Sequence, residues 1–311
     1  MLSILRYRGF FGLIRAIYFR LLIIIFSRFQ RKRYIKSKIY DYAMYLDVQD
    51  PGISRTLLLF GKREIEHKIM LNKVLQPGMT VLDIGANIGY YAIMEAKLVG
   101  TTGRIIAVEP SPNNIQLLKR NLELNNYGNI KVIQGAISDR AGEREFHLSS
   151  SSNLHTFHNH GSAAHQLTGE TIVVNTYSVT DVMSGMGKPD LIRMDVEGHE
   201  VEVIDGMMDA IQRNELSPMI LFETHISRYS KEHNMAATLK RLFDLGYYVR
   251  YLASNAESGS AKIEARGYRG SQPIKTDFVK RVIYENIKPE DAIDLICTVG
   301  GCRTVLLAPR C

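Results

Sequence analysis

The chain has 311 residues, 45% of them hydrophobic and 23% charged, which is enough apolar material for a full core and excludes a disordered protein. Its formal net charge of +7 sits at one end, because residues 1–40 hold ten of the 39 Lys and Arg residues and none of the 32 Asp and Glu. The rest is slightly acidic and gives no reason to expect nucleic acid as a partner.

The basic segment opens with FFGLIRAIYFRLLIIIF at 10–26. Arg15 and Arg20 interrupt the apolar run, which disfavours a simple membrane span. A signal peptide fits poorly, since SRFQRKRYIKSK follows where a small-residue cleavage site belongs. Two readings stay open: a helix lying in the interface of an anionic membrane, with its polybasic flank on the lipid headgroups, and a helix packing its apolar face on the rest of the chain. Residues 1–40 therefore form a tail and 41–75 a lead-in to a larger domain at 76–311. The expected location is the cytoplasm, peripheral at the inner face of the membrane under the first reading.

From residue 78 the pattern becomes regular. The strand MTVLDIGA leads to a helix over 90–98, the strand RIIAVEP to a helix over 113–124, and NIKVIQGAIS forms a third strand. After an interruption, DLIRMDV, PMILFETH and YYVRYLAS alternate with helices over 201–213 and 236–245, and RTVLLAPR reads as a last strand. Strands alternating with helices predict an α/β fold, a doubly wound and mostly parallel Rossmann-like sheet. Ligands of such sheets bind at the carboxyl ends of the strands.

VLDIGANIG places Gly85 and Gly89 in the first strand-to-helix turn, where a ligand must approach the backbone. Asn87 stands at the middle position and tolerates positive φ. Glu109 ends the second strand, placed to hold the ribose hydroxyls of an adenosine ligand. NAD suits those two features as well. Asp83 before the first glycine, however, suits a cationic ligand better than a pyrophosphate, and S-adenosylmethionine carries an ammonium and a sulfonium but no phosphate.

RMDVEGHE at 193–200 ends the fourth strand in carboxylates, and FETH at 222–225 ends the fifth. Neighbouring strand ends bring Asp195, Glu197, Glu223 and His225 to one cleft. Group transfer in such a cleft needs positioning and a group to take a proton, so His225 or Asp195 is the expected base, with Glu197 orienting it or the acceptor. A divalent cation on Asp195, Glu223 and His225 is the rival reading, without tight ligand spacing to support it. Glu200 is expected to serve the start of the following helix.

The segment SSNLHTFHNHGSAAH carries His155, His158, His160 and His165. It reads as a loop over 149–166 that covers the acceptor, because the histidines have no helical or finger-like spacing for a metal. No metal site is assigned. Cys297, Cys302 and Cys311 lack CxxC spacing and read as reduced thiols.

These residues resemble the FkbM-type class I methyltransferases. VLDIGANIGYYAI is similar to the family's first motif, AVEPSPNNIQLLKRNLELNN to its second, VIQGAISDRAGEREF to its third-strand region, and IRMDVEGHEVEVIDG to its hallmark. The resemblance spans about residues 74–254 and leaves 255–300 unassigned. It implies a seven-stranded sheet with one antiparallel strand near the C-terminus. It also implies methyl transfer from S-adenosylmethionine, usually to a hydroxyl of a sugar, glycolipid or related small molecule; a protein or natural-product acceptor, or a non-catalytic or NAD-dependent Rossmann protein, is the alternative. Asp83, Gly85, Asn87 and Gly89 would line the methionine and ribose side, Glu109 would hold the ribose, and backbone around Ala136 would meet the adenine. Asp139 would bind the adenine amino group, although it lies three residues beyond the usual place.

Overall fold

The computed structural model describes residues 2–29, 33–158, 165 and 167–310. A helix α1 (Leu2–Phe29) precedes a hairpin of β1 (Tyr34–Lys38) and β2 (Ala43–Asp47), then α2 (Ile53–Phe60) and α3 (Ile65–Val74). The alternating part follows as β3 (Thr80–Ile84), α4 (Tyr90–Val99), β4 (Arg104–Glu109), α5 (Pro112–Asn125) and β5 (Ile130–Gln134). A side layer of β6 (Ala136–Ile137), β7 (Gly142–Ser149) and β8 (Leu167–Tyr177) interrupts it. It resumes with α6 (Val179–Met183), β9 (Leu191–Met194), α7 (Glu200–Gln212), β10 (Met219–Glu223), α8 (Met235–Asp244) and β11 (Tyr247–Ser254). The chain closes through α9 (Glu257–Glu264), β12 (Ile274–Thr276), β13 (Val279–Arg281), β14 (Ile283–Glu285), α10 (Pro289–Cys297) and β15 (Cys302–Pro309).

The main sheet runs β14-β11-β15-β10-β9-β3-β4-β5. Strands β3, β4, β5, β9 and β10 are mutually parallel, and β15 is inserted antiparallel between β10 and β11. That is the doubly wound sheet expected from the alternation, with one difference. An eighth, three-residue edge strand, β14, comes from the unassigned stretch 255–300 and pairs antiparallel with β11. The same stretch is tied to the body by the ion pair of Arg281 with the fully buried Glu66 of α3.

Both sheet faces are covered, which explains why the central strands read as unbroken apolar runs. One face packs Leu82, Ile192, Ile220 and Phe222 against Val203, Ile204 and Met207 of α7 and Leu239 of α8. The other packs Val81, Ile105 and Leu221 against Leu57, Met70, Ile93 and Leu118. Each such side chain, fully buried, contributes about 1.5–3 kcal/mol.

The N-terminal helix packs one side on the body and leaves the other exposed. Its inner side docks on the body: Arg15 donates to Leu57 O at 3.2 Å, Leu58 O at 3.1 Å and Ser37 Oγ at 2.9 Å, and Arg8 pairs with Asp277 at 3.6 Å. Its outer side leaves Leu2, Phe10, Phe11, Ile14, Ile17, Tyr18, Leu21 and Ile24 exposed. Residues 2–26 are long and apolar enough to cross a membrane, by length and composition.

Within this frame one polar contact joins the central strands. Arg193 of β9, 3% exposed, donates to Asp83 of β3, fully buried, at 3.1 Å and to Gly85 O at 3.3 Å. Its guanidinium lies over the Tyr91 ring, 4.1 Å from the centroid. Removing one partner of a buried pair strands the other charge. Asp83→Ala is therefore expected to lower the unfolding free energy in urea by about 3–5 kcal/mol, and adding Arg193→Met to restore part of the loss.

Candidate active site

Strand β3 ends in a turn with three left-handed residues, Gly85 (φ 75), Asn87 (φ 50) and Gly89 (φ 91). Gly85 has no room for a side chain, since a Cβ there would stand 2.3 Å from the carbonyl oxygen of Asp195. The glycine is needed because the lips of β3 and β9 touch. At Gly89 a Cβ would meet Leu118 Cδ1 at 2.6 Å, so this glycine serves the packing of α4 on α5 and does not line the cavity. Asp83 also departs from its expected place, lying beneath the turn as the partner of Arg193.

Gly85, Ala86, Asn87, Glu109, Pro110, Gly135, Ala136 and Ile137 form one wall of a cavity at the strand ends. Glu109 Oε1 accepts from Ser111 N at 2.9 Å and Asn114 Nδ2 at 3.1 Å, and Oε2 accepts from Asn87 N at 2.9 Å. A carboxylate has about four acceptor positions, so one on Oε2 remains for a ribose hydroxyl. Burial pushes the Glu109 carboxyl up to about 7 even though these three donors favour its charge. Asp139 is absent from the wall and instead takes Ser138 Oγ–H at 2.9 Å and an ion pair from Arg144.

The opposite wall is acidic. Asp195, Glu197 and His199 follow β9 and line the cavity with Glu64, Arg63, Tyr91, Phe146 and Phe157. His225 stands behind them as the centre of a ring of carboxylates. Its Nδ1 meets Glu200 Oε1 at 2.9 Å, and its Nε2 lies 3.5 Å from Glu197, 3.7 Å from Glu223 and 3.9 Å from Asp195. Burial pulls the imidazole down, but Glu200 and Glu197, with Glu223 adding, outweigh it and hold His225 well above the ordinary histidine range. An imidazolium takes no proton, so His225 held in this form does not serve as the base.

The carboxylates change roles accordingly. Burial pushes Glu197 up to about 7, with His225 opposing and Asp195 and Glu200 adding. Burial likewise raises Glu223 to about 8 against the pull of Arg303. Glu197 adopts φ 52, and Gly198 follows at φ 106 with the Arg228 side chain against it. Glu200 does more than serve a helix start: it is fully buried, accepts from Gly198 N at 3.3 Å and fixes His225.

The four side chains expected to converge, Asp195, Glu197, Glu223 and His225, do so. Asp195, Glu197 and His225 also bring ligand atoms within 4.8 Å of one another. A divalent cation is thus the rival to the proton on His225, and Glu223 lies outside that set. Residues not anticipated complete the wall. Glu64, at φ 47, accepts from Tyr91 Oη at 2.5 Å and from Arg303 Nη2 at 2.9 Å and pairs with Arg63. Arg303 also pairs with Glu223. The only hint in the sequence was an arginine opening the apolar run RTVLLAPR.

The histidine segment covers part of the cavity. Ser152 O accepts from Asn87 Nδ2 at 2.8 Å and Asn114 Nδ2 at 3.0 Å, and Asp50 accepts from Ser152 N and Oγ. His155 and Phe157 line the wall. Burial lowers His155 to about 4, leaving it neutral while its Nδ1 accepts from Ser149 N. His160 and Cys311 lie outside the described residues.

A sequence model of the methyltransferase FkbM domain matches residues 83–249, more than half of the chain. The chain belongs to the FkbM methyltransferase family. A model of protein-L-isoaspartate (D-aspartate) O-methyltransferases also matches, over residues 23–141. Among curated relatives, a protein-L-isoaspartate O-methyltransferase of Methanothrix thermoacetophila is 41% identical over 61 residues, 20% of this chain and 29% of that protein. The hexuronic acid methyltransferase AglP of Haloferax volcanii is 28% identical over 134 residues, 42% of this chain and 50% of that protein. The chain thus spans half or less of the length of these relatives. A methyltransferase FkbM structure from Methylobacillus flagellatus aligns with a TM-score of 0.39 at 15% identity, over 75% of this chain and 54% of that one. Fold, family and relatives agree on one class, the S-adenosylmethionine-dependent methyltransferases. On the acceptor, the relatives weigh towards proteins more than towards the sugar expected from the sequence.

The glycine turn, Glu109 and the backbone at Ala136 suit S-adenosylmethionine, and the buried Asp195 Oδ1, without a hydrogen bond among the described residues, offers an acceptor for its ammonium. A charge-assisted hydrogen bond is worth about 1.5–3 kcal/mol. Glu109→Ala should therefore weaken S-adenosylhomocysteine binding about 10- to 100-fold by calorimetry. In the wild type, affinity should rise as pH passes upward through about 7, where the carboxyl ionises, and that pH dependence should vanish in the variant.

Proposed function

We propose that this protein transfers the methyl group of S-adenosylmethionine to a hydroxyl oxygen of a sugar-like or glycolipid acceptor, with Glu197 taking the proton. The observation that carries this reading is the ring of carboxylates around His225, in which Glu197 lines the cavity with its carboxyl raised to about 7. A base is most effective when its pKa lies near the working pH. The bound cofactor supplies an already reactive methyl group. The protein's part is to hold the acceptor oxygen in line and to remove one proton.

In this reading Glu109 and Asn87 fix the cofactor, Asp195 orients the acceptor hydroxyl or the cofactor ammonium, and Glu197 receives the proton. The His225 imidazolium, held by Glu200, stabilises the charge on Glu197 and Glu223 between turnovers. Arg303 and Arg63 hold Glu223 and Glu64. A neutral hydroxyl suits this wall, because an acceptor carboxylate would meet Asp195 and Glu64 as like charges.

A second reading, transfer to a carboxyl of a protein such as an isoaspartyl residue, is favoured by the protein-L-isoaspartate O-methyltransferases among the relatives. Against it, the match of that family's sequence model ends at residue 141 and leaves out Asp195, Glu197, Glu200, Glu223 and His225. Assays with labelled cofactor separate the two: incorporation into glycan or glycolipid fractions supports the hydroxyl reading, and incorporation into an isoaspartyl peptide with none into glycans overturns it.

With the acceptor in hand, Glu197→Gln should lower kcat by about 10²- to 10⁴-fold while S-adenosylhomocysteine affinity stays within about twofold. The wild-type rate should rise with pH to a plateau above about 7, and that rise should be absent from the variant.

The outer face of α1 supports peripheral membrane association of the same protein. Exposed Leu, Ile and Phe side chains lie beside Arg6, Arg20, Lys36 and Lys38, all exposed. An apolar face with a basic rim binds anionic lipid surfaces. Because Arg8 and Arg15 are docked on the body, the helix would lie along the surface with the cavity still in water. Full-length protein should float with vesicles containing anionic lipid, lose that association at high salt, and lose it in Phe10→Glu, Ile14→Glu.

A further inference from the structure

Beside the cavity, a second cluster of metal-ligating side chains joins the histidine segment to the start of α7. His158, His199 and Glu202 each bring one ligand atom within 4.8 Å of the others. His158 and His199 are buried, and the Glu202 side chain is 17% exposed. His199 and Glu202, three residues apart, share one helix face.

The hydrogen bonds around His199 leave an electrostatic gap. Ser138 Oγ donates to Asp139 Oδ1 at 2.9 Å, so its contact with His199 Nε2, also 2.9 Å, is one in which the imidazole N–H donates. That fixes the tautomer and leaves a lone pair on Nδ1. This Nδ1 faces Glu202 Oε2 at 3.3 Å, and neither atom has a hydrogen bond among the described residues. Two buried acceptors facing each other are not left bare, so a proton or a metal ion lies between them. His233 pairs through Nδ1 with the other Glu202 oxygen, and its ring stands edge-on to His158 with centroids 4.5 Å apart.

We propose that His158, His199 and Glu202 bind a divalent transition metal ion of the zinc type, with Ser138 and His233 orienting two of the ligands. Two imidazoles and one carboxylate are donors suited to zinc and not to calcium or magnesium. Three protein ligands leave a fourth position for water. Zinc bonds of about 2.0–2.2 Å place ligand atoms about 3.3 Å apart. The His199 and Glu202 pair already has that spacing, and the His158 ligand atom lies within 4.8 Å of both. Outer partners such as Ser138 and His233 are the usual means of fixing a ligand's tautomer and direction. The ion would pin the segment carrying His155 and Phe157, which lines the cavity, to the helix that follows Glu197. It would therefore set the shape of the acceptor wall without touching the reacting oxygen.

The test uses full-length protein purified without a metal-affinity tag, stripped with a chelator and titrated with Co²⁺. The expected result is uptake of one equivalent, a visible absorption band of tetrahedral type, its loss on adding Zn²⁺, and a higher melting temperature in the presence of Zn²⁺. Glu202→Gln, which keeps the side-chain shape, and His158→Ala should lose the band, while Glu197→Gln should retain it. No uptake by the wild type, meaning a proton fills the gap, would overturn the proposal. So would a band that survives both Glu202→Gln and His158→Ala, or one that Glu197→Gln abolishes, since the ion would then sit at the His225 cluster. Unchanged melting on Zn²⁺ addition to the wild type would count against it equally.

Discussion

The site depends on a charge placed where the core should be. Arg193 lies inside a four-residue strand whose every residue is buried, and it is tolerable there because Asp83 meets it from the adjacent strand, Gly85 O accepts from it and Tyr91 covers it. Such a pair adds little net stability compared with a well-packed apolar pair. What it does supply is register. β3 and β9 can slide past each other only by breaking it, so the turn at 85–89 and the lip at 195–200 keep a fixed relation.

Around that relation the charges come in a graded series. Glu64 is held well below the usual carboxylate range despite its burial, because Arg63 and Arg303 flank it. Glu223 shares Arg303 with Glu64 and is pushed up. Glu197 has His225 as its main cationic neighbour, with a weaker pull from Arg303, and that histidine is itself divided among four carboxylates. Too few cations for the number of acids means that at least one carboxyl must sit near its titration point at neutral pH. The acids are therefore best understood as one coupled unit, in which moving a proton on any member changes the others.

How much of this was legible in the sequence follows from where each signal lies. The central strands were plain because burial on both faces makes them unbroken apolar runs, and their ends were plain because charge breaks those runs. Asp195, Glu197, Glu223 and His225 were found for that reason. Glu200 opens its helix as expected, and its spacing also carried its second role: positions 203, 204 and 207, three, four and seven residues on, all face the core, so its carboxylate points inward to His225. Glu64, Arg63 and Tyr91 reach the site from outside the strand ends, and no local periodicity announces a contact such as that of Glu64 with Arg303, 239 residues apart. The edge strand β14 was invisible because three residues are too few for an alternation to register.

The space denied to a side chain at Gly85 has a consequence for how such proteins diversify. The carbonyl of Asp195 occupies it, so the turn at 85–89 and the lip at 195–200 are in van der Waals contact through a single glycine. Side chains at Glu64 and Arg303, on the far rim, can change without touching that joint, whereas the histidine segment is bonded to the turn through Ser152 O and Asn87 Nδ2. An exchange of the segment after β9 would have to preserve one carbonyl's position to within a few tenths of an ångström. The two lips of the site rest on one inseparable joint.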